Sequence, residues 1–139
     1  MTTNQLHLLI VEDDAVELIA LQRGLAKLRL LNPVTIAHDG IEALEILRGQ
    51  NGRERLPKPH LVLLDLRMPR MDGLEFLEVV RSDEELRKTV IFVLTTSDHD
   101  QDVATAYRNN IAGYILKSSV DTDFVKLVKE HSQDPASKD

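Results

Sequence analysis

The stretch that most constrains the fold is an unbroken apolar run, Leu61–Leu64, which ends in Asp65. Apolar residues without polar alternation are typical of a β-strand covered on both faces, as in a parallel sheet between two layers of helices. The turn-forming residues Pro69, Asp72 and Gly73 follow shortly afterwards. Asp65 is therefore predicted at the carboxyl end of a central strand, and ligands bind at that edge of open α/β sheets.

Four other short apolar segments alternate with amphipathic ones along the chain. They predict strands at Leu6–Val11, Val34–Ala37, Thr89–Leu94 and Gly113–Leu116. Asp39 and Asp121 are placed to cap two of the intervening or following helices. Five strands alternating with five helices imply right-handed crossovers and a doubly wound, five-stranded parallel sheet. The short second strand resembles an edge strand, which favours the flavodoxin-like (βα)5 order 2-1-3-4-5 within the α/β class.

The composition fits a single globular domain, with 139 residues, 42% of them hydrophobic, and a net charge of −6. We assign residues 1–131 to this domain and residues 132–139 to a polar tail that is expected to fray. The acidic balance argues against a nucleic-acid partner, and the lack of cysteine excludes disulfides, thiol catalysis and cysteine-ligated metals. The apolar runs are far shorter than a membrane span and the start is unlike a signal peptide, so we expect a cytoplasmic protein without a membrane partner.

Chemically useful side chains stand at the ends of the predicted strands. Glu12 and Asp13 follow the first strand, Asp65 ends the third, Thr95 follows the fourth and Lys117 follows the fifth. Because the carboxyl ends of parallel strands meet at one edge of a sheet, we expect these groups to gather there.

The chemistry of this predicted cluster suggests a divalent cation and a phosphoryl group. Two carboxylate charges ~4 Å apart repel each other by roughly 4 kcal/mol at a surface-like effective dielectric, and a cation relieves this repulsion. An oxygen-only site favours Mg²⁺ over zinc. A hydrated cation can also hold a phosphoryl group that moves onto a carboxylate, here Asp65, and the ammonium of Lys117 and the hydroxyl of Thr95 can contact the same group.

The chain from about Leu6 to His131 resembles the stand-alone receiver domains of bacterial two-component response regulators, which include chemotaxis regulators. The segments that carry the resemblance are Val11–Asp14, Leu63–Gly73, Leu94–Ser97 and Gly113–Lys117. A weaker resemblance, in the loop Gln50–Pro59 and in the Thr-Thr-Ser and Lys-Ser runs, is to the single-domain regulators that pair with cyanobacterial phytochromes and related kinases.

The resemblance implies a role for each residue of the cluster. Asp65 would be the phosphoacceptor and would receive its phosphoryl group from a sensor histidine kinase or a histidine phosphotransfer protein. Asp13, Asp65 and the backbone carbonyl of Arg67 would ligate Mg²⁺, for which Mn²⁺ can substitute, and Glu12 would act through water. Asp14 would be a helix cap.

The resemblance also implies how the signal would leave the domain. Thr95 and Lys117 would hold the phosphoryl group, and Tyr114 would turn inward as Thr95 moves toward it. Phosphorylation would then favour a rearranged face, made of the fourth helix, the fifth strand and the fifth helix, that binds a downstream protein. Such a protein assists its own phosphorylation and dephosphorylation but is mainly a signalling protein rather than an enzyme. A homodimer is left open.

One residue departs from the family pattern. The family usually has proline after the lysine, joined by a cis peptide, whereas Ser118 follows Lys117 here. A cis bond before a residue other than proline costs about 2.5–4 kcal/mol. The Lys117–Ser118 peptide is therefore either trans with a re-routed loop or cis under strain, and both outcomes affect the reach of Lys117.

Two rival functions conflict with particular residues of this sequence. A haloacid-dehalogenase-like phosphatase needs a second acid two residues after its nucleophile, where this chain has Arg67. A nucleotide-binding flavodoxin-like domain needs a Gly-rich or Ser/Thr-rich loop after the first strand, where this chain has Glu12–Asp14. The alternatives that remain are a phosphorylation-independent adaptor module and a phosphorelay shuttle or phosphate sink.

Overall fold

The computed structural model describes residues 6–27, 32–96, 101–120 and 122–123. The strands are β1 (His7–Val11), β2 (Val34–Ala37), β3 (His60–Asp65), β4 (Val90–Thr95) and β5 (Gly113–Leu116). The helices are α1 (Ala15–Lys27), α2 (Gly40–Arg48), α3 (Gly73–Ser82) and α4 (Gln101–Ala106), with 3₁₀ turns at Tyr107–Asn109 and Lys117–Ser119.

The five strands form one parallel sheet in the order β2-β1-β3-β4-β5, which confirms the predicted fold class and topology. Strand boundaries differ from the sequence prediction by a single residue. β1 begins at His7, and β4 covers Val90–Thr95, so that Thr95 is the last residue of its strand and not the first residue after it. The predicted closing helix with its Asp121 cap and the tail 132–139 lie outside the described residues, and the proposed domain boundary stays a prediction.

Successive residues of the central apolar run enter opposite cores. Val62 and Leu64 pack in the cluster that includes the inward faces of α2 and α3. Leu61 and Leu63 pack in the second cluster, together with residues of α1 such as Leu21. Since both faces of β3 are covered, every position of the run has to be apolar, as the sequence indicated.

Asp72 and Gly73 join the carboxyl end of β3 to α3, and both residues act structurally, as their turn-like pattern suggested. The Asp72 carboxylate accepts the backbone N–H of Glu75, and the Glu75 carboxylate accepts the N–H of Asp72, which is a complete capping box. A Cβ atom on Gly73 would lie 2.6 Å from Leu66 Cα and 2.7 Å from the Asp65 carbonyl oxygen. Glycine therefore lets α3 begin directly against the strand end that carries Asp65.

Arg81 forms hydrogen bonds that join α3 to the segments before β4 and before β5. The sequence gave no reason to select this residue. Its Nη1 donates to the carbonyl oxygens of Arg87 and Thr89, both at 2.8 Å, ahead of β4. Its Nε and Nη2 donate to the carbonyls of Asn109 and Asn110 at 2.6 and 3.1 Å, in the turn before β5. One guanidinium therefore satisfies four backbone acceptors that belong to two segments of the chain.

None of the helices in the described ranges is long and apolar enough to cross a membrane. The cytoplasmic location expected from the sequence stays a prediction.

Candidate functional site

The register of the sheet brings the selected residues to one edge. Leu64 of β3 pairs with Val11, the last residue of β1, so that Glu12 emerges beside Asp65. On the other side Asp65 pairs with Leu94, and Thr95 pairs with Leu116, the residue before Lys117. The strand ends therefore align as the parallel topology predicted.

Lys117 is the centre of this edge. Its Nζ lies 3.3 Å from Asp65 Oδ1, 3.0 Å from Glu12 Oε1 and 2.5 Å from Glu17 Oε2. Burial alone would lower the pKa of this amine, but its contacts with Glu17 and Glu12 outweigh that effect and raise the pKa. The ammonium is therefore charged at neutral pH and shared among three carboxylates.

Glu12 is completely buried beside this ammonium. Its Oε2 accepts the backbone N–H of Asp14 at 3.1 Å. Its Oε1 faces Lys117 at 3.0 Å but forms no well-directed hydrogen bond, so the contact is an ion pair only. Burial, together with the charge of Asp65, raises the pKa of Glu12 to about 7.

Asp65, the last residue of β3, is also buried. Burial raises its pKa, and the charge of Glu17 adds to this effect. The ammonium of Lys117 and the backbone N–H of Arg67 act in the opposite direction, because both favour the ionised carboxylate. The acceptor candidate is thus a desolvated carboxylate beside the ammonium of Lys117.

Glu17 makes the shortest contact at the site, although sequence reasoning missed it. The order Asp14-x-x-Glu17 resembles a capping box, in which the glutamate would reach back to the N–H of Asp14. Asp14 does cap α1, accepting the N–H groups of Val16 and Glu17 at 2.8 and 3.1 Å. Its own N–H, however, is bound by Glu12, which leaves the Glu17 carboxylate for Lys117. The sequence did hold one indication of this contact, because the first turn of α1 begins at the carboxyl edge of the sheet, where Lys117 is also expected.

The other predicted residues are distributed around this centre. Asp13 is exposed next to Glu12, and Thr95 is buried at the end of β4. Tyr114 is 39% exposed and so does not lie fully within the fold. The exposed side chain of Arg67 extends toward α4, where its Nη2 lies 3.4 Å from Asp102 Oδ2.

The Lys117–Ser118 peptide is trans, since Lys58–Pro59 is the cis bond found among the described residues. The chain instead turns immediately into a 3₁₀ segment, Lys117–Ser119. The first of the two alternatives, a re-routed loop with a trans peptide, is the one observed. Lys117 nonetheless reaches Asp65.

The donor set of this edge fits a hard divalent cation in its chemistry. Within the described residues, no three Asp, Glu, His or Cys side chains form a preformed metal-binding group. The carboxylates of Glu12 and Asp65 are nevertheless close enough for the charge of one to raise the pKa of the other, and Glu12 Oε1 has no directed hydrogen bond. Asp13 adds an exposed carboxylate at the next position. These are oxygen donors, which suit Mg²⁺ or Mn²⁺.

Comparison with known proteins identifies what the chain is similar to. Residues 8–129 match the family model described as the response regulator receiver domain. The chain is 36% identical over 123 residues to the probable methanogenesis regulatory protein FilR2 of Methanothrix harundinacea, covering 88% of this chain and 79% of that protein. It is 33% identical over 122 residues to response regulator Rcp1 of Synechocystis, covering 88% and 83%.

Two solved structures of such regulators resemble the fold closely. The Mn²⁺-bound form of Rcp1 has a TM-score of 0.73 at 29% identity and covers 91% of this chain and 92% of that one. The phosphorylated cyanobacterial phytochrome response regulator RcpA has a TM-score of 0.77 at 27% identity and covers 94% of each chain. These likenesses agree with the resemblance first suggested by the sequence.

Proposed function

Because this chain belongs to the family of response regulator receiver domains, we propose that it accepts a phosphoryl group on Asp65 and passes the signal to a protein partner. The observation that carries the proposal is the position of the Lys117 ammonium, 3.3 Å from the buried Asp65 carboxylate at the carboxyl edge of the sheet. A cation at this distance can stabilise negative charge on a phosphoryl oxygen attached to Asp65.

The reaction we propose is the transfer of a phosphoryl group from a phosphohistidine of a sensor kinase or a phosphotransfer protein. A carboxylate oxygen of Asp65 attacks phosphorus, the P–O bond forms as the P–N bond breaks, and the histidine nitrogen leaves with the electron pair. Lys117 and the N–H of Arg67 both lower the pKa of Asp65 against the effect of burial, and so favour the ionised form that attacks. The Thr95 hydroxyl, at the end of β4, is assigned to a phosphoryl oxygen.

Glu12, Asp13, Asp65 and the carbonyl of Arg67 are the groups we assign to a divalent cation, Mg²⁺ or Mn²⁺. Such a cation would supply positive charge to the phosphoryl oxygens and to the accepting carboxylate of Asp65 during the transfer. The Mn²⁺-bound structure of Rcp1 and the phosphorylated structure of RcpA support this proposal by similarity.

The signal, in this proposal, leaves through the face that includes α4 and β5. Tyr114 pairs in register with Val93, two residues before Thr95 on β4, and it is partly exposed. We assign to Thr95 and Tyr114 the roles of a coupled switch, in which phosphorylation changes the relative population of two arrangements of this face. The domain is then mainly a signalling protein that acts on its own Asp65.

The experiment that tests the proposal is intact-mass analysis after treatment with acetyl phosphate or phosphoramidate, with and without Mg²⁺. We expect one Mg²⁺-dependent phosphoryl adduct, which is absent from Asp65→Asn. Glu78→Gln is the control for loss of a carboxylate, because Glu78 lies exposed on α3. Equal labelling of Asp65→Asn would show that the acceptor is wrong. Absence of an adduct on the folded wild-type protein would favour the phosphorylation-independent adaptor.

A reverse-transfer assay separates a signalling regulator from a shuttle or phosphate sink. Protein phosphorylated on Asp65 is mixed with an unphosphorylated histidine phosphotransfer protein, and transfer back to histidine is followed by mass. Rapid transfer would favour the shuttle, whereas retention of the phosphoryl group on Asp65 would favour the signalling role.

A further inference from the structure

Three carboxylates surround the Lys117 ammonium, two of them as hydrogen-bond acceptors and Glu12 as an ion-pair partner. An ammonium group has three N–H donors, and three carboxylates lie within 3.3 Å of Nζ. If Asp65 accepts a phosphoryl group, as proposed above, an oxygen of that group has to compete with these carboxylates for the Lys117 ammonium. The inference that follows rests on that proposed function.

The three partners differ in what they would lose. Glu12 is completely buried, so water could not replace Lys117 as the partner of Glu12 Oε1 after the two had separated. Asp65 would itself carry the phosphoryl group and would stay beside the ammonium. The side chain of Glu17 is 35% exposed on the first turn of α1, so water can replace Lys117 as its partner. Glu17 is therefore the contact that costs least to break.

We propose that Glu17 is a positioning residue, which holds the Lys117 ammonium next to Asp65 in the unphosphorylated protein and releases it to the phosphoryl group. The contact of 2.5 Å between Glu17 and Lys117 must break for the second step. Glu17 and Asp65 contact the same ammonium, so the negative charge of Glu17 lies close to the site of the added anion and disfavours it. Glu17 therefore opposes the phosphorylated form as well as organising the resting one.

The start of α1 does not depend on the Glu17 carboxylate. Glu12 Oε2 occupies the N–H of Asp14 that a capping-box glutamate would bind. The helix start is already capped by Asp14, which accepts two backbone N–H groups. The Glu17 carboxylate is thus available to leave Lys117 without unfolding the first turn.

The first test measures the contact in the absence of any phosphoryl chemistry. The side-chain NMR signal of Lys117, 13C-labelled at Cε and assigned by its loss in Lys117→Met, is compared between wild type and Glu17→Gln. We expect Glu17→Gln to shift this signal and the control Glu78→Gln to leave it in place. An unshifted signal in Glu17→Gln would overturn the inference, whatever the result for Asp65 phosphorylation.

The second test measures the competition at saturating Mg²⁺, with beryllium trifluoride as a stable mimic of a phosphoryl group on a carboxylate. We expect Glu17→Gln to bind the mimic about two- to fivefold more tightly than wild type, because an ion pair no longer has to be broken. Glu17→Asp, which keeps the charge, should stay near the wild-type affinity, and Glu78→Gln should match wild type.

The outcomes separate this inference from the proposed function. Binding by wild type with equal or weaker binding by Glu17→Gln would overturn the role of Glu17 alone. Tighter binding by Glu78→Gln as well would show that net charge, and not the Lys117 contact, is responsible. If the wild-type protein binds no mimic and forms no adduct on Asp65, the proposed function fails and the second step of the inference fails with it.

Discussion

At the scale of single residues, the sheet edge holds more negative than positive charge around Lys117. One ammonium lies between Glu12, Glu17 and Asp65, of which Glu12 is completely buried. Removing one member of a buried ion pair is strongly destabilising, because the remaining charge has no partner. The stability of this edge should therefore depend on Lys117 even before any phosphoryl chemistry.

We expect Lys117→Met to lower the free energy of unfolding by about 3 kcal/mol at pH 8 without divalent cations. The measurement is urea denaturation followed by circular dichroism. Lys88→Met, which removes an exposed lysine, is the matched control and should lose little. A loss in Lys117→Met no larger than in the control would contradict the ion pairs described at the site.

The raised pKa of Glu12 predicts the direction of a pH effect. The folded protein holds a proton on Glu12 up to a pKa of about 7, whereas the unfolded chain releases it near 4.5. Between these values the folded state binds more protons, so stability falls as pH rises from about 5 to about 8. In Glu12→Gln this contribution disappears.

We therefore expect Glu12→Gln to be more stable than wild type by about 1–3 kcal/mol above pH 7, and to differ less near pH 5. Urea denaturation across this pH range, with a chelator present, is the measurement. An unchanged pH slope in the variant would show that Glu12 is ionised throughout and that its burial is offset by Lys117.

At the scale of secondary-structure elements, two contacts decide how α3 is placed. The start of the helix is pressed against the end of β3 at Gly73, where an added Cβ would lie 2.6 Å from Leu66 Cα. The end of the helix is held by the four hydrogen bonds of Arg81. The first contact bears on the geometry of Asp65, and the second on the packing of the neighbouring turns.

We expect Gly73→Ala to lower stability by about 1–3 kcal/mol, because backbone atoms next to Asp65 would have to shift. Phosphoryl uptake at Asp65 should fall as well, measured by intact mass at equal protein concentration. Gly113→Ala is a graded control, since its Cβ would meet a Phe92 ring carbon at 3.2 Å. A larger loss for Gly113→Ala would contradict the close approach at Gly73.

Arg81→Lys tests the other end of α3. Lysine keeps the charge but cannot direct donors at four carbonyl groups, so we expect a loss of about 2–4 kcal/mol. Urea denaturation measures the effect, and Arg87→Lys, at an exposed position, serves as the control. Similar losses in both variants would show that the hydrogen bonds of Arg81 contribute little net stability.

At the scale of the whole molecule, a cation that binds the folded state should stabilise the entire domain. We expect Mg²⁺ to raise the thermal midpoint of the wild-type protein at pH 8. When the free Mg²⁺ concentration is about a hundred times its dissociation constant, the free energy of unfolding should rise by about 2.7 kcal/mol. A chelator should reverse the shift, and Asp65→Asn should show a smaller one. Equal shifts in the two proteins would place the cation elsewhere.

The fold was predictable from the sequence because its constraints are local. The run Leu61–Leu64 has no polar residue, as a strand between two cores requires. The alternation of such short runs with amphipathic segments favours the parallel order. The positions of Asp65 and Lys117 at one edge follow from that topology. Their roles in phosphoryl transfer stay predictions.

The contacts that sequence reasoning missed are those between residues far apart in the chain. Glu17 meets Lys117 across a separation of 100 residues, and nothing in its local sequence points to that partner. Arg81 meets Asn109 across 28 residues, with no periodicity to indicate it. Pattern reasoning also gave no means of deciding that Glu12 is buried while Asp13 is exposed, since both follow the same strand.

The hydrogen bonds of Arg81 have a mechanical consequence for the face that we propose carries the signal. They fix the carbonyls of Asn109 and Asn110, which follow α4, to the body of the domain. The other end of α4 starts near the carboxyl edge of the sheet, where Asp102 lies beside Arg67. If phosphorylation displaces α4, we expect the displacement to be greatest at the end that carries Asp102, because the segment after its other end is held by Arg81.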